Sequence, residues 1–300
     1  SISSNISAFI NIEMDLINAK KMALKNEINE TNQKIKFQKK IQLNDITFTY
    51  PSNKNAGIFN VNMEIPYGSK IGIVGKTGSG KSTLLKGIAK IIPIKSGDLF
   101  LNGSSIRVLT TKNMAKLVSY LPQTLNSNLP LTVRELVALG RSPHKHFWEF
   151  DLNTNDLSII DDALDLCDLK KYSNTALNSL SGGQCQRAYL ALTIAQKTKI
   201  ILLDEPTTFL DINFQIQMLD LIKNLKKQNK ITIITVIHDI NLALRYCDRL
   251  AIFKKGNLLT IDEPVKALSK EFIKEAFSVE SLNFETPVGI QICATKACDQ

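Results

Sequence analysis

Residues 75–82 restrict the possible folds of this chain more than any other segment, since they join a β-type run to a helical stretch. They match the pattern G-x-x-x-x-G-K-[ST], in which a glycine-rich loop between a strand and a helix presents backbone N–H groups to phosphate oxygens. Gly78 and Gly80 let the backbone curl, and the helix that follows adds a dipole that favours an anion. A glycine-rich turn without a ligand would not require the Lys-Ser pair that ends the segment. The loop therefore predicts an α/β fold that binds a nucleoside triphosphate.

The residues of this loop have separate expected roles. Lys81 is expected to neutralise charge on the β- and γ-phosphates, and Ser82 to bind Mg²⁺. The backbone supplies further contacts through its N–H groups. The candidate nucleotide-binding residues are Gly75, Lys76, Thr77, Gly78, Ser79, Gly80, Lys81, Ser82 and Thr83.

A second nucleotide signature lies at residues 200–205, Ile-Ile-Leu-Leu-Asp-Glu. Its continuous apolar part is typical of a strand buried on both faces of a parallel sheet. Ligands of such sheets bind at the carboxyl ends of the strands, so Asp204 and Glu205 are expected to face the phosphates. Asp204 would hold Mg²⁺ through water, and Glu205 would be the general base that polarises the attacking water. The alternative for either acid alone is a solvated side chain in a turn at the end of a strand.

Two further polar residues follow β-type runs. His238 ends the run 231–237, and Gln123 follows residues 119–122. A single histidine is more often structural than catalytic, but the carboxyl end of a strand would bring His238 towards the same γ-phosphate. Glutamine cannot act as a base, but it can place water or Mg²⁺ by hydrogen bonding. The predicted catalytic residues are therefore Glu205, His238 and Gln123, and the predicted Mg²⁺-binding residues are Ser82, Gln123 and Asp204.

Strands alternate with helices through most of the chain, which predicts an α/β fold. We expect a P-loop NTPase core over residues 41–280, with antiparallel strands at its start and an inserted helical subdomain at about 124–195. The pattern of residues 41–50 changes phase near Asp45, which indicates a β-bulge. Residues 1–40 are predicted to form an amphipathic helix and a linker, packed either on the domain or on a partner or membrane surface. Residues 281–300 are assigned to a C-terminal tail.

Composition argues against several kinds of protein. The net charge of +9 suggests an acidic partner, but the lysines are scattered and form no basic stripe interleaved with aromatic residues, so nucleic acid is not expected. The five cysteines are odd in number and include no C-x-x-C pair, which argues against a disulfide framework or a zinc site. Cys293 and Cys298 are expected to be free thiols. No apolar run is long enough to span a bilayer.

Residues 180–184 read Leu-Ser-Gly-Gly-Gln and precede a helix expected at about 184–196. Taken alone, Ser181 would be an ordinary helix N-cap. The N–H groups at a helix start can also bind an anion. Together with residues 75–82 and 200–205, in this order along the chain, the segment resembles the signature of the ATP-binding cassette (ABC) ATPases. The resemblance extends over roughly residues 41–280.

The resemblance implies roles that the residues alone do not show. Two copies of the chain would hold ATP and Mg²⁺ between them, arranged head to tail. Tyr50 would stack on adenine, and Gln123 would sense nucleotide and contact a membrane subunit. His238 would be the switch histidine, and Asp211 would cross the dimer seam. The residues that would close over the ATP of the second copy are Ser181, Gly182, Gly183 and Gln184.

Within the family, residues 132–144 and 207–215 resemble ATPases that import iron-siderophores, haem and vitamin B12. This kinship implies an ATPase subunit at the cytoplasmic face of the membrane, with permease subunits and a metal-chelate-binding protein as partners. Residues 75–79 and 48–55, together with the amphipathic leader, instead resemble the ATPase domain of a fused exporter of peptide or lipid. Cys185 stands where a basic residue usually follows the signature. Import and fused export therefore remain as alternatives.

Three other classes fit less well. A translation factor of this family would need two cassettes. A repair protein would need a long coiled-coil insertion, and no sustained heptad pattern appears. A P-loop kinase would account for Lys81 but not for the signature segment, Gln123 and His238 together.

Overall fold

The computed structural model describes residues 37–50, 53–145, 151–208 and 210–298. Their contacts divide them into two units, one formed by residues 37–123 and 198–298 and the other by residues 124–197. The inserted helical subdomain that the sequence predicts at about residues 124–195 falls within the second of these units. The predicted amphipathic helix falls within residues 1–36, outside the described residues. The last residues of the predicted linker belong to the fold, because Phe37 is buried.

The described part of the chain contains the following elements. The strands are β1 (Lys40–Tyr50), β2 (Asn53–Pro66), β3 (Lys70–Val74), β4 (Ser96–Leu101), β5 (Ser104–Ser105), β6 (Val118–Leu121), β7 (Ile200–Asp204), β8 (Thr232–Val236), β9 (Arg249–Lys254), β10 (Asn257–Asp262), β11 (Val279–Thr286) and β12 (Gly289–Ala297). The helices are α1 (Lys81–Ile88), α2 (Thr111–Leu117), α3 (Val133–Leu139), α4 (Thr154–Leu166), α5 (Gly182–Ala195), α6 (Ile212–Asn229), α7 (Ile240–Tyr246), α8 (Pro264–Ala267) and α9 (Lys270–Phe277). Short 3₁₀ turns lie at Ile106–Val108, Ser142–His144, Lys170–Tyr172 and Leu177–Ser179. Among the described residues, no helix is long and apolar enough to cross a membrane.

The first unit is built on a sheet with the strand order β10-β9-β3-β8-β7-β6. Strands β3, β7 and β8 are buried along their whole length, as expected for apolar runs in a parallel sheet. From β9 to β6 neighbouring strands run parallel, so their carboxyl ends lie at one edge. Residue 75 follows β3 at this edge, while Gln123, Glu205 and His238 follow β6, β7 and β8. The predicted α/β fold is confirmed, and its sheet orders the candidate site.

An antiparallel sheet with the order β2-β1-β4-β5 forms the start of this unit. The register of β1 against β2 shifts between Leu43 and Ile46, and Asp45 between them has a φ of 47°. This is the predicted bulge, and it lets both Leu43 and Ile46 reach the core. Strand β4 was not predicted from the sequence, because it is short, contains Gly97 and buries only alternate residues near its end.

The second unit is helical, and α3 and α4 both pack on α5. A capping box begins each of these three helices, so that the side chains of the N-cap and of the third helical residue satisfy N–H groups at the helix start. The pairs are Thr132 with Glu135, Asn153 with Asp156, and Ser181 with Gln184. Local sequence therefore sets where each helix begins.

Strands β11 and β12 form an antiparallel hairpin where the sequence analysis expected a tail. The hairpin is attached to α7 by two hydrogen bonds: the Asn241 side chain donates to the Ile292 carbonyl O at 3.1 Å, and the Ile292 N–H donates to Asn241 Oδ1 at 2.8 Å. Ile292 is buried, whereas Phe284 is 51% exposed. Cys293 and Cys298 are free thiols, as expected.

The ammonium group of Lys70 is buried at the start of β3 and offers a test of the core. Its Nζ has no hydrogen-bond partner in the described structure and lies 5.5 Å from the centre of the Tyr246 ring. Burial lowers the pKa of Lys70 from its usual 10.5, although Cys247 and Asp248 act in the opposite direction. The folded state therefore binds this proton less firmly than the unfolded chain. The free energy of unfolding is therefore reduced by the full amount below the folded-state pKa, and this reduction disappears as the pH rises towards 10.5.

We expect Lys70→Met to raise the free energy of unfolding at pH 7 by about 1–3 kcal/mol, because it removes an unsatisfied buried polar group. The gain should shrink as the pH approaches 10.5, the ordinary lysine pKa. Urea denaturation at neutral and alkaline pH measures both effects. Lys95→Met, at an exposed position, serves as the control. A variant that is less stable at pH 7 would show that the ring of Tyr246 and Asp248 stabilise a charged Lys70.

Candidate functional site

The glycine-rich loop after β3 has a backbone that other residues could not follow. Gly75 has a φ of 151° and Gly80 a φ of 99°. A Cβ on Gly75 would lie 2.3 Å from the Phe253 carbonyl O, and one on Gly80 would lie 2.5 Å from Ile58 Cγ2. Around Gly78, in contrast, there is open space. The loop is therefore packed tightly against the fold at its two ends and open at its centre.

Lys81 begins α1 and is enclosed by this loop. Its Nζ donates to the carbonyl O atoms of Gly75 and Lys76, at 2.9 Å each. Burial lowers the pKa of Lys81, and the carboxylates of Glu205 and Asp204 counteract part of this effect. A cation that is held in the loop by backbone carbonyls suits the charge of a phosphate.

Asp204 is the last residue of β7 and is 1% exposed. Ser82 Oγ donates to its Oδ1 at 2.9 Å, and the Tyr120 hydroxyl donates to its Oδ2 at 3.0 Å. Burial raises the pKa of Asp204, and the hydrogen bonds from Ser82 and Tyr120 lower it in part. The role of Tyr120 was not predicted. No local sequence signal could have identified it, because the hydrogen bond requires β6 to lie beside β7.

The oxygen atoms of Ser82 and Asp204 are of the type that Mg²⁺ prefers. The described residues contain no group of three or more His, Cys, Asp or Glu side chains that could hold a metal by themselves. Mg²⁺ usually keeps several waters and binds proteins through one or two carboxylates together with substrate phosphates. The Ser82 hydroxyl and the Asp204 carboxylate, which are joined by a hydrogen bond, fit this ligand set.

Glu205 lies at the centre of the polar cluster at the sheet edge. Gln123 Nε2 donates to its Oε2 at 2.7 Å, and Thr208 Oγ1 donates to the same atom at 3.2 Å. His238 Nε2 lies 2.5 Å from Glu205 Oε1. The structure thus brings together the three predicted catalytic residues, and it adds Thr208, which the sequence analysis did not single out.

The backbone and burial of Glu205 are also unusual. Its φ of 54° lies in the left-handed region, which non-glycine residues rarely adopt. Its side chain is only 7% exposed, whereas the His238 side chain is 46% exposed. Strained backbone of this kind concentrates at functional sites. A buried carboxylate beside an accessible imidazole can accept a proton from a water and exchange it with solvent.

The signature segment lies in the helical unit. Ser181 caps α5: the Gln184 N–H donates to Ser181 Oγ at 3.3 Å, and the Ser181 N–H donates to Gln184 Oε1 at 2.9 Å. The simple N-cap interpretation of Ser181 is therefore realised. A Cβ on Gly182 would meet no atom within 4 Å, so the helix start is open to an approaching group. A capped and open helix start remains suited to an anion.

The remaining predicted residues occupy separate positions. Asp211 is the N-cap of α6 and accepts from the Phe214 N–H at 2.9 Å. Lys76 Nζ donates to Ser278 Oγ at 2.9 Å, which connects the loop to the start of the C-terminal hairpin. Thr83 is buried in α1, and Thr77 is exposed. Tyr50 ends β1, and its side chain lies outside the described part of the structure.

Comparison with known proteins identifies the family. The model of the family described as "ABC transporter" matches residues 58–208. The chain is 42% identical over 231 residues to the petrobactin import ATP-binding protein FpuC of Bacillus anthracis, and the match covers 77% of this chain and 85% of that protein. It is 37% identical over 222 residues to the iron(3+)-hydroxamate import ATP-binding protein FhuC of Bacillus subtilis, covering 74% and 82% of the two chains.

Solved structures agree with this result. A dimeric ATP-binding cassette in a post-hydrolysis state, bound to ADP and Pi, has a TM-score of 0.65 and 28% identity, over 75% of this chain and 99% of that chain. An ABC transporter in an inward-facing conformation has a TM-score of 0.73 and 24% identity, over 86% and 97%, and supports the fold. The chain therefore belongs to the ABC transporter family, as a cassette that binds and hydrolyses ATP.

Proposed function

We propose that this chain is the ATPase subunit of a metal-chelate importer, with ferric siderophores as its cargo. The observation that carries this proposal is the similarity to relatives named for the import of petrobactin, iron(3+)-hydroxamate and ferric enterobactin, at 42%, 37% and 34% identity. The predicted kinship of residues 132–144 and 207–215 supports the same cargo class. The chain would act at the cytoplasmic face of the membrane, with permease subunits and a chelate-binding protein.

For the ATP site, we propose that residues 75–83 cradle the phosphates and that Tyr50 stacks on adenine. The proposal is supported by the open centre of the loop and by the buried ammonium of Lys81. Ser82, Asp204 and Gln123 would hold Mg²⁺. When bound, Mg²⁺ neutralises negative charge on the β- and γ-phosphates.

For hydrolysis, we propose Glu205 as the general base. Its carboxylate is held by Gln123, Thr208 and His238 in a fixed orientation. Gln123 and His238 would orient the attacking water and the γ-phosphate around it. The hydrogen bonds that surround Glu205 support this arrangement, because a base must have a fixed geometry relative to the water it deprotonates.

The proposed active form is a head-to-tail dimer. Ser181, Gly182, Gly183 and Gln184 of one copy would contact the ATP of the other, and Asp211 would lie at the seam. One related cassette, 27–28% identical to this chain, is dimeric in two solved structures, which supports a dimer. The open helix start at Gly182 supports it independently.

We expect Lys81→Met to weaken ATP binding by about 10–100-fold, since a hydrogen bond to a charged group contributes about 1.5–3 kcal/mol. Titration with a fluorescent ATP analogue measures the change. Lys95→Met, which replaces an exposed lysine between the loop and β4, should bind ATP like the parent chain. Unchanged affinity in the Lys81 variant would contradict the assigned phosphate contact.

The decisive experiment for the cargo is to isolate the native membrane complex and identify every chain that copurifies with it by mass spectrometry. Separate permease subunits and a chelate-binding protein would support import. Recovery of this sequence as part of one polypeptide with membrane helices would overturn the import proposal in favour of the exporter alternative.

A growth assay tests import directly. Cells in which the Lys81→Met chain replaces the parent chain should not grow on a ferric siderophore as the sole iron source.

A further inference from the structure

Residues 132–144 carry part of the resemblance to the metal-chelate importers, but the ATP site described above does not use them. In the structure this segment contains α3 and the 3₁₀ turn that follows, and it lies against α5 in the helical unit. The capping box of Thr132 and Glu135 fixes the start of α3. Three residues near the end of the segment, Gly140, Arg141 and His144, contact the C-terminal end of α5.

Gly140 is the first of these contacts. Its φ of −57° is ordinary, so its backbone conformation does not require glycine. The lack of space around Gly140 does require glycine, because a Cβ there would lie 2.5 Å from the Leu192 carbonyl O and 3.2 Å from Ala195 Cβ. The end of α3 therefore sits directly on the last turn of α5.

Arg141 and His144 bind the terminal carbonyl groups of α5. Arg141 Nη1 donates to the Ala195 carbonyl O at 2.7 Å, and His144 Nε2 lies 2.8 Å from the Gln196 carbonyl O, as an Nε2–H donor would. Ala195 ends the helix and Gln196 is its C-cap. Carbonyl groups at this position have no partner within the helix, and a guanidinium there also complements the helix dipole.

Asp156 on α4 holds this arrangement from the other side. Its Oδ1 accepts from Arg141 Nε at 2.9 Å, and its Oδ2 lies 2.5 Å from Lys145 Nζ. The Arg141 and Asp156 side chains are only 7% and 3% exposed. Arg141 is thus locked between a buried carboxylate and a helix end, so its position is determined by two elements at once.

We propose that Gly140, Arg141 and His144 form a clamp on α5 that sets the orientation of the signature segment at the opposite end of the helix. These are positioning residues, since they would act through α5. Helix α5 has 14 residues and is about 21 Å long. A tilt of about 5° at the clamped end therefore moves Ser181 by about 2 Å, and misplacement by 1 Å can cost about 10²-fold in an assembled site.

This inference rests on the proposed ATP-dependent dimer, so the test is made in a Glu205→Gln chain, in which ATP persists. Light scattering gives the protein concentration at half-dimerisation with saturating Mg-ATP, and fluorescence titration gives the ATP affinity of the monomer. We expect Arg141→Lys to raise the concentration for half-dimerisation at least about tenfold, because an ammonium group cannot donate to Asp156 and Ala195 in the fork geometry of arginine. The ATP affinity of the monomer should change less than about twofold, since the phosphate loop lies in the other unit.

His144 provides a milder pair of variants, because its side chain is exposed and its loss should leave folding intact. His144→Ala should weaken dimerisation, whereas His144→Gln retains an N–H donor for the Gln196 carbonyl O and should restore it. Arg134→Lys is the matched control, since Arg134 makes a surface ion pair with Asp161 in the same unit. It should dimerise like the parent chain.

Two failures can be told apart. Suppose that the Glu205→Gln chain dimerises. If the Arg141 and His144 variants then dimerise equally well, or lose ATP affinity to the same extent as dimerisation, the proposed clamp is wrong, while the proposed dimer is still supported. If the Glu205→Gln chain remains monomeric with ATP, the proposed dimer itself is wrong, and the clamp falls with it. The cargo assignment is tested separately by the copurification experiment.

Discussion

Glu205→Gln is expected to lower the rate of ATP hydrolysis by about 10²–10⁴-fold, the usual contribution of a general base. The amide has the shape of the carboxylate and can keep the hydrogen bond from Gln123, but it cannot accept a proton from water. ATP binding should persist, because the loop around Lys81 is unchanged. Phosphate release under saturating ATP and Mg²⁺ measures turnover, and filter binding measures retained nucleotide.

The same variant tests the dimer. Slow hydrolysis should trap ATP between two copies, so the chain should elute as a dimer in Mg-ATP and as a monomer without nucleotide. Glu263→Gln, which changes an exposed glutamate paired with Lys266, should behave like the parent chain in both assays. Turnover at the parental rate would show that another group deprotonates the water.

Asp156→Asn is expected to lower the free energy of unfolding of the helical unit by about 3–5 kcal/mol, the cost of breaking a buried ion pair from one side. The carboxylate of Asp156 balances both Arg141 and Lys145, and the neutral amide would leave these cations uncompensated. Urea denaturation followed by far-UV circular dichroism measures the loss. Asp161→Asn, which breaks a surface pair with Arg134, should cost less than about 1 kcal/mol.

The contribution of Asp156 should also depend on pH. Burial alone would raise the pKa of its carboxyl group, but hydrogen bonds from Lys145 and Arg141 outweigh burial and lower the pKa below its usual 3.8. The folded state therefore releases this proton more readily than the unfolded chain. The stabilisation is fully present above the unfolded-state pKa and is lost as the pH falls through the folded-state value. Equal acid sensitivity of the parent and Asp156→Asn chains would contradict this role.

The parallel sheet and its site edge could be predicted because each strand carries its own signal. Strands β3, β7 and β8 are mostly apolar and buried along their whole length, and a polar residue with an expected chemical role follows each of them within two positions. Parallel strands place such residues at one edge, so sequence position alone brought Glu205 and His238 together. The turn at Lys255 and Gly256, where both residues have positive φ, could also be predicted from local sequence, because glycine adopts positive φ readily.

Other features depend on partners that are distant in sequence. The Tyr120–Asp204 hydrogen bond exists because β6 lies beside β7, and the sequence does not state that neighbour. Asp156 belongs to the local capping box of α4, but its pairing with Arg141 requires that the chain after α3 packs against α4. The strands β11 and β12 were missed because few of their residues are buried, so their apolar alternation is weak.

The hairpin of β11 and β12 determines where the chain can be truncated without losing part of the fold. A boundary at residue 280, as the sequence indicated, would fall inside β11 (Val279–Thr286). Such a fragment would lack Ile292, so the Asn241 side chain would lose both of its hydrogen bonds to the backbone. Asn241 lies on α7, which begins two residues after His238. It would also expose the apolar surface of α7 that Ile292 covers. A fragment meant to report on ATP hydrolysis should therefore extend through Ala297.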